Sequence, residues 1–125
     1  MLTIVAAAGA ALVLAACGGG EDNSSGGTTP AGVDVEVIAV DGIAWNASTY
    51  NAEAGEITIF SRNASSLPHN LHIQNTNGDA AVKEFIDLPS RGADGSITVT
   101  LEPGDYRIVC LIPGHQNMNA LLRVA

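Results

Sequence analysis

The C-terminal stretch CLIPGHQNMNALLRVA, residues 110–125, gathers a thiol, an imidazole and a thioether within nine residues: Cys110, His115 and Met118. In YRIVC, which ends at Cys110, the two-residue period of a strand puts Tyr106, Ile108 and Cys110 on one face and Arg107 and Val109 on the other. Arg107 belongs in water, so Cys110 faces inward at the end of its strand. Pro113-Gly114 is a turn signal that folds His115 back toward the thiol. Met118 follows three residues later. Thiolate, imidazole and thioether form a soft ligand set, suited to copper in either oxidation state. A third strong ligand must come from elsewhere, and SLPHNLHIQN offers His69 and His72. His69 shares a face with Leu71 and Ile73, which seek the core, whereas His72 shares the other face with Asn70 and Gln74. His69 is therefore expected to point inward and His72 to meet solvent.

Other chemistries fit these residues less well. Zinc needs four firm ligands, usually in closely spaced pairs, and a thioether is a poor one. A dinuclear copper centre needs a second cysteine in the loop, and none is there. Nucleophilic catalysis needs an exposed, activated thiolate with a positioned base, which an inward-facing cysteine does not supply. No enzyme is expected. The remaining alternative is an inert buried Cys110 with incidental histidines.

The elements that must position these groups read as strands almost throughout. VDVEVIAVD alternates apolar and acidic residues from Val33 to Val37. GEITIF at 55–60, LHI at 71–73, SITVTL at 96–101, YRIVC at 106–110 and ALLRVA at 120–125 continue the theme, and EPGD at 102–105 is a turn. Only AAVKEFIDL, 80–88, offers a short helix. Trp45, Phe60, Phe85 and Tyr106 are expected in or near the core. Short strands at this spacing predict an all-β, antiparallel sandwich or barrel with at most one short helix.

The chain begins with an apolar run over residues 2–16, the length of a signal-peptide core and too short to span a bilayer. No Lys or Arg precedes it, so the true start is expected upstream. LAAC, Leu14–Cys17, resembles the bacterial lipobox, which implies cleavage before Cys17 and lipid attachment to it. Residues 17–32 are rich in Gly, Ser and Thr with no large apolar side chain, and read as a flexible tether. Residues 33–125 are left as the folded domain. The expected location is the bacterial cell envelope, outside the cytoplasm, with the membrane touched through the lipid alone. All thirteen acidic and five basic residues follow Cys17, a net charge of −8, which argues against nucleic acid and anionic lipid as partners. With Cys17 acylated, Cys110 is an unpaired thiol in an oxidising compartment and calls for a partner, a metal or burial.

Over residues 33–125 the chain resembles the cupredoxins, the small blue-copper proteins of the plastocyanin–azurin group. PHN, Pro68–Asn70, is similar to the family's upstream histidine region, EPGDYRIVC to its cysteine strand, and CLIPGH has the azurin-like Cys–His spacing. The resemblance implies a Greek-key sandwich, expected to be monomeric, holding one type 1 copper ion. It implies His69, Cys110 and His115 as equatorial ligands, Met118 as the weak axial one, and Asn70 as a hydrogen-bonding tie between the two ligand loops. Only two residues separate His115 from Met118, where members with this Cys–His spacing usually have three or four, so Gln116 or a backbone carbonyl stands as the alternative axial contact. The implied function is one-electron transfer, with Leu111, Ile112 and Pro113 forming an apolar exit patch beside His115. A redox protein, such as a basic c-type cytochrome, is the expected partner. The alternative function is a surface-tethered copper scavenger or delivery protein without redox work, against which stands the lack of Met- or His-rich tracts.

Overall fold

Alternating apolar and polar residues carry directly into strands in the computed structural model, which describes residues 28–125. The expected signal peptide, the expected lipid attachment at Cys17 and the first part of the expected tether, up to Gly27, lie outside the described residues. Among the described residues nine strands form: β1 Val35–Val40, β2 Ala44–Trp45, β3 Thr49–Ala52, β4 Gly55–Asn63, β5 His69–Asn75, β6 Ile86–Leu88, β7 Asp94–Leu101, β8 Gly104–Val109 and β9 Asn119–Val124. They pair as a four-stranded sheet, β2-β1-β4-β7, and a five-stranded sheet, β3-β9-β8-β5-β6. The side chains between the sheets form one core that includes Val37, Ile57, Ile59, Leu71, Ile73, Leu88, Ile108 and Leu122. Fully burying side chains of this size contributes about 1.5–3 kcal/mol each. Trp45 ties the layers together, its indole N–H donating to the Ile108 carbonyl at 3.2 Å.

Three expectations need correction. The sheets are mixed: β1 runs parallel to β4, and β3 parallel to β9. Between Val40 and Gly55 the chain leaves the first sheet to lay β3 along the edge of the second, then returns, so β4 starts from the same end as β1. Residues 80–88 do not take up the short helix they offered, which agrees with an expectation of at most one; Ala80 bridges to Gln74, and Ile86–Leu88 pairs with His69–Leu71 as an edge strand. Phe85 is not core but 49 % exposed, lying flat on His72 with ring centroids 4.7 Å apart. This stack covers one side of His72, which is half-buried rather than open to solvent. Trp45 and Phe60 are buried and Tyr106 is partly so.

The registers set the ends of the sandwich. His69 begins β5, Cys110 follows the last residue of β8, and Met118 precedes the first residue of β9. Because β5 and β9 both run antiparallel to β8, all three positions fall at the same end.

Candidate metal centre

Three side chains from two distant stretches converge at that end. Cys110 Sγ lies 4.0 Å from His69 Nδ1 and 3.6 Å from His115 Nδ1. All three donor atoms fall within 4.8 Å of one another, and all three residues are buried. The imidazole rings stand 4.9 Å apart, tilted by 52°. Met118, fully enclosed, belongs to the same loop. His72 faces the other side of β5 and takes no part, as the two-residue period requires.

The loop carrying Cys110, His115 and Met118 is built from two successive β-turns. His115 N–H donates to the Ile112 carbonyl at 3.0 Å, with Pro113 and Gly114 at the turn's corner. Gly114 has φ of 92°, the left-handed value that position i+2 of a type II turn demands. Met118 N–H then donates to the His115 carbonyl at 3.0 Å, and Cys110 N–H to the Met118 carbonyl at 3.2 Å, which closes the loop on itself. Asn70 Oδ1 accepts from Leu111 N–H at 2.8 Å, linking this loop to the residue beside His69.

The loop before His69 is held differently. Asn63, fully buried at the end of β4, donates from Nδ2 to the carbonyls of Leu67 at 2.7 Å and Leu88 at 3.0 Å. Its Oδ1 accepts from both N–H and Oγ of Ser65, each at 2.8 Å. Ser65 Oγ in turn lies 2.8 Å from His69 Nε2. Arg91 donates to the Ala64 carbonyl at 2.8 Å and braces the loop from outside. From the sequence alone neither Asn63 nor Ser65 is assigned a role at the site. Their signal was the Asn-x-Ser spacing, which favours a side chain bonding to the backbone two residues on.

Burial first, and the His115 ring second, hold the His69 imidazole below its ordinary pKa, so it favours the neutral form that can bind a metal. A buried thiol facing two imidazole nitrogens, with Met118 enclosed in the same loop, is a donor set of the right softness for copper. The site is nearly sealed: His69 is 0 % exposed and His115 9 %. On the loop that carries His115, Leu111 is 51 % exposed and Pro113 is exposed, as are the polar Gln116 and Asn117, while Ile112 is half-buried against the core. Leu67 and Pro68, on the other loop, are also exposed.

Comparison with known proteins agrees with this arrangement. The sequence profile of the copper binding proteins, plastocyanin/azurin family, matches residues 31–125. Among curated proteins no relative matches. Solved structures of similar fold include dithionite-reduced auracyanin from Roseiflexus castenholzii, at a TM-score of 0.65 and 20 % identity, covering 77 % of this chain and 99 % of that one. The azurin Az-iso2 of Methylomonas sp. strain J gives 0.63 and 15 %, covering 76 % and 99 %. The blue copper protein auracyanin A of Chloroflexus aurantiacus gives 0.59 and 23 %, covering 75 % and 100 %. At these identities the likeness shows a shared fold.

Proposed function

Because the chain belongs to the plastocyanin/azurin family of copper-binding proteins, with His69, Cys110, His115 and Met118 arranged as a type 1 copper site, we propose that it is a one-electron carrier. In this reading His69, Cys110 and His115 hold the ion as equatorial ligands and Met118 supplies the weak axial contact. Bound copper would supply the redox couple, Cu(I)/Cu(II), and no substrate bond is broken. The protein's part is to keep its donors still. Two loops fastened to a rigid sandwich restrict ligand movement between oxidation states, and the buried environment keeps water from the ion. The observation that carries the reading is the meeting of three buried donor atoms within 4.8 Å.

The least buried ligand, His115, sits beside exposed Leu111 and Pro113, and this apolar surface is the proposed electron exit. Encounters of redox proteins through such patches are small and transient. The net charge of −8 would orient a basic partner, a c-type cytochrome being one of suitable chemistry. The lipobox-like Leu14–Cys17 and the Gly/Ser/Thr-rich segment support a domain, residues 33–125, tethered by lipid at Cys17 to a membrane of the bacterial envelope.

Voltammetry of the copper-loaded protein tests the carrier reading. A reversible one-electron wave is expected, and Leu111→Asp should slow exchange with a cytochrome while leaving the visible spectrum intact. An unchanged exchange rate would remove the patch. A sluggish wave together with ready handover of copper to an acceptor would instead identify a scavenger or delivery protein.

A further inference from the structure

The hydrogen bonds around His69 constrain its tautomer. Asn63 Nδ2 is placed against two backbone carbonyls, those of Leu67 and Leu88, which can only accept. The amide orientation is therefore fixed, and Oδ1 is the atom facing Ser65. Ser65 Oγ has a single proton. Its acceptor-only neighbours are Asn63 Oδ1 at 2.8 Å and the Leu67 carbonyl at 3.2 Å. Were that proton given to His69 instead, the hydroxyl oxygen would face Asn63 Oδ1 at 2.8 Å with no proton between them. The hydroxyl must donate to Asn63, so at the 2.8 Å contact with His69 it accepts. Both residues are essentially free of solvent, Ser65 at 1 % and His69 at 0 % exposure, so water offers no alternative partner.

We propose that Ser65 is a positioning residue for the metal centre: its hydroxyl, oriented by Asn63, accepts the Nε2 proton of His69 and so leaves Nδ1 as the free lone pair aimed at Cys110. The relay runs from His69 Nε2–H to Ser65 Oγ–H to Asn63 Oδ1, and Asn63 is pinned to the backbone of the loop and of β6. One hydroxyl thus sets both the ring's angle about β5 and the nitrogen it presents. A partner on the far nitrogen also raises the basicity of the ligating one. The role of the pair in metal binding rests on the copper reading given above; the tautomer does not.

Two measurements decide it. In the metal-free protein, proton–nitrogen correlation spectra of the imidazoles should show His69 as a single Nε2–H tautomer with a slowly exchanging ring proton. Ser65→Ala should mix the tautomers and expose that proton, while Ser65→Thr, which keeps the hydroxyl, should preserve the native pattern. In competition titrations with a chelator, Ser65→Ala should bind Cu(II) about 10- to 100-fold more weakly than wild type, and Ser65→Thr should recover most of the loss. A wild-type His69 protonated on Nδ1 would overturn the proposal whatever happens to the variants. So would a Ser65→Ala protein with native tautomer and native affinity. If the wild type takes up no copper, the copper reading fails while the ring spectra still judge the relay.

Discussion

Two loops meet at the metal centre, and they are held by opposite means. The loop from Asn63 to His69 is organised from within, by buried side chains: Asn63 alone makes four hydrogen bonds, two donated and two accepted. The loop from Cys110 to Met118 is organised by its own backbone, through two β-turns and a closing bond, with Asn70 reaching in from the other side. Its side chains Leu111, Pro113, Gln116 and Asn117 face water. His69 is thus fully enclosed, while His115, at 9 % exposure, lies nearest the surface, the division of labour that the proposed carrier role needs.

If that contrast is right, damage to the buried network should cost most. Asn63→Ala strips the Leu67 and Leu88 carbonyls of their donor and leaves Ser65 without its acceptor. At about 1–3 kcal/mol for each buried group left unpaired, the metal-free protein should lose about 3 kcal/mol or more, read as a lower midpoint in denaturant. A loss below about 1 kcal/mol would mean that water or relaxation replaces the network, and the contrast between loops would collapse. Gly114→Ala probes the other loop. No atom lies within 4 Å of where its Cβ would sit, so the cost is backbone strain at φ of 92° alone, about 1 kcal/mol. Stability should fall less than in Asn63→Ala, while the visible spectrum of the copper form should change, because the turn aims His115.

The smallest effect is expected at His72, which shares a strand with His69 but not its task. Burial lowers its pKa below the ordinary histidine value of about 6.5. As pH falls through 6.5 the unfolded chain takes up this proton before the folded one does, so the native state loses stability on acidification. His72→Gln should flatten part of that loss, leaving the share owed to His69, whose pKa is lowered as well. Urea midpoints of the metal-free protein between pH 7 and pH 5 would show it; identical slopes for variant and wild type would remove His72 from the account.

Much of the site was legible because strands impose strict alternation. The two-residue period separated inward His69 from outward His72, and the Pro113-Gly114 pair announced the turn that returns His115 to Cys110. The parallel pairings were hidden, since each depends on where the chain lands after switching sheets, and no local pattern encodes that. Phe85 was misplaced because residues 80–88 carry no clear period, and an aromatic ring without one defaults to the core. The Asn63–Ser65 relay lies in irregular backbone, where partners such as the Leu88 carbonyl are 25 residues away and are brought close only by the β5–β6 pairing.

The most direct test is to add Cu(II) to the purified protein and to its Cys110→Ser variant and record the visible spectra. Intense blue absorption in the wild type that disappears in the variant is the predicted result, since the colour would come from the thiolate in contact with the ion. A colourless wild-type adduct, or colour that survives loss of the thiol, would contradict a metal centre built on His69, Cys110 and His115.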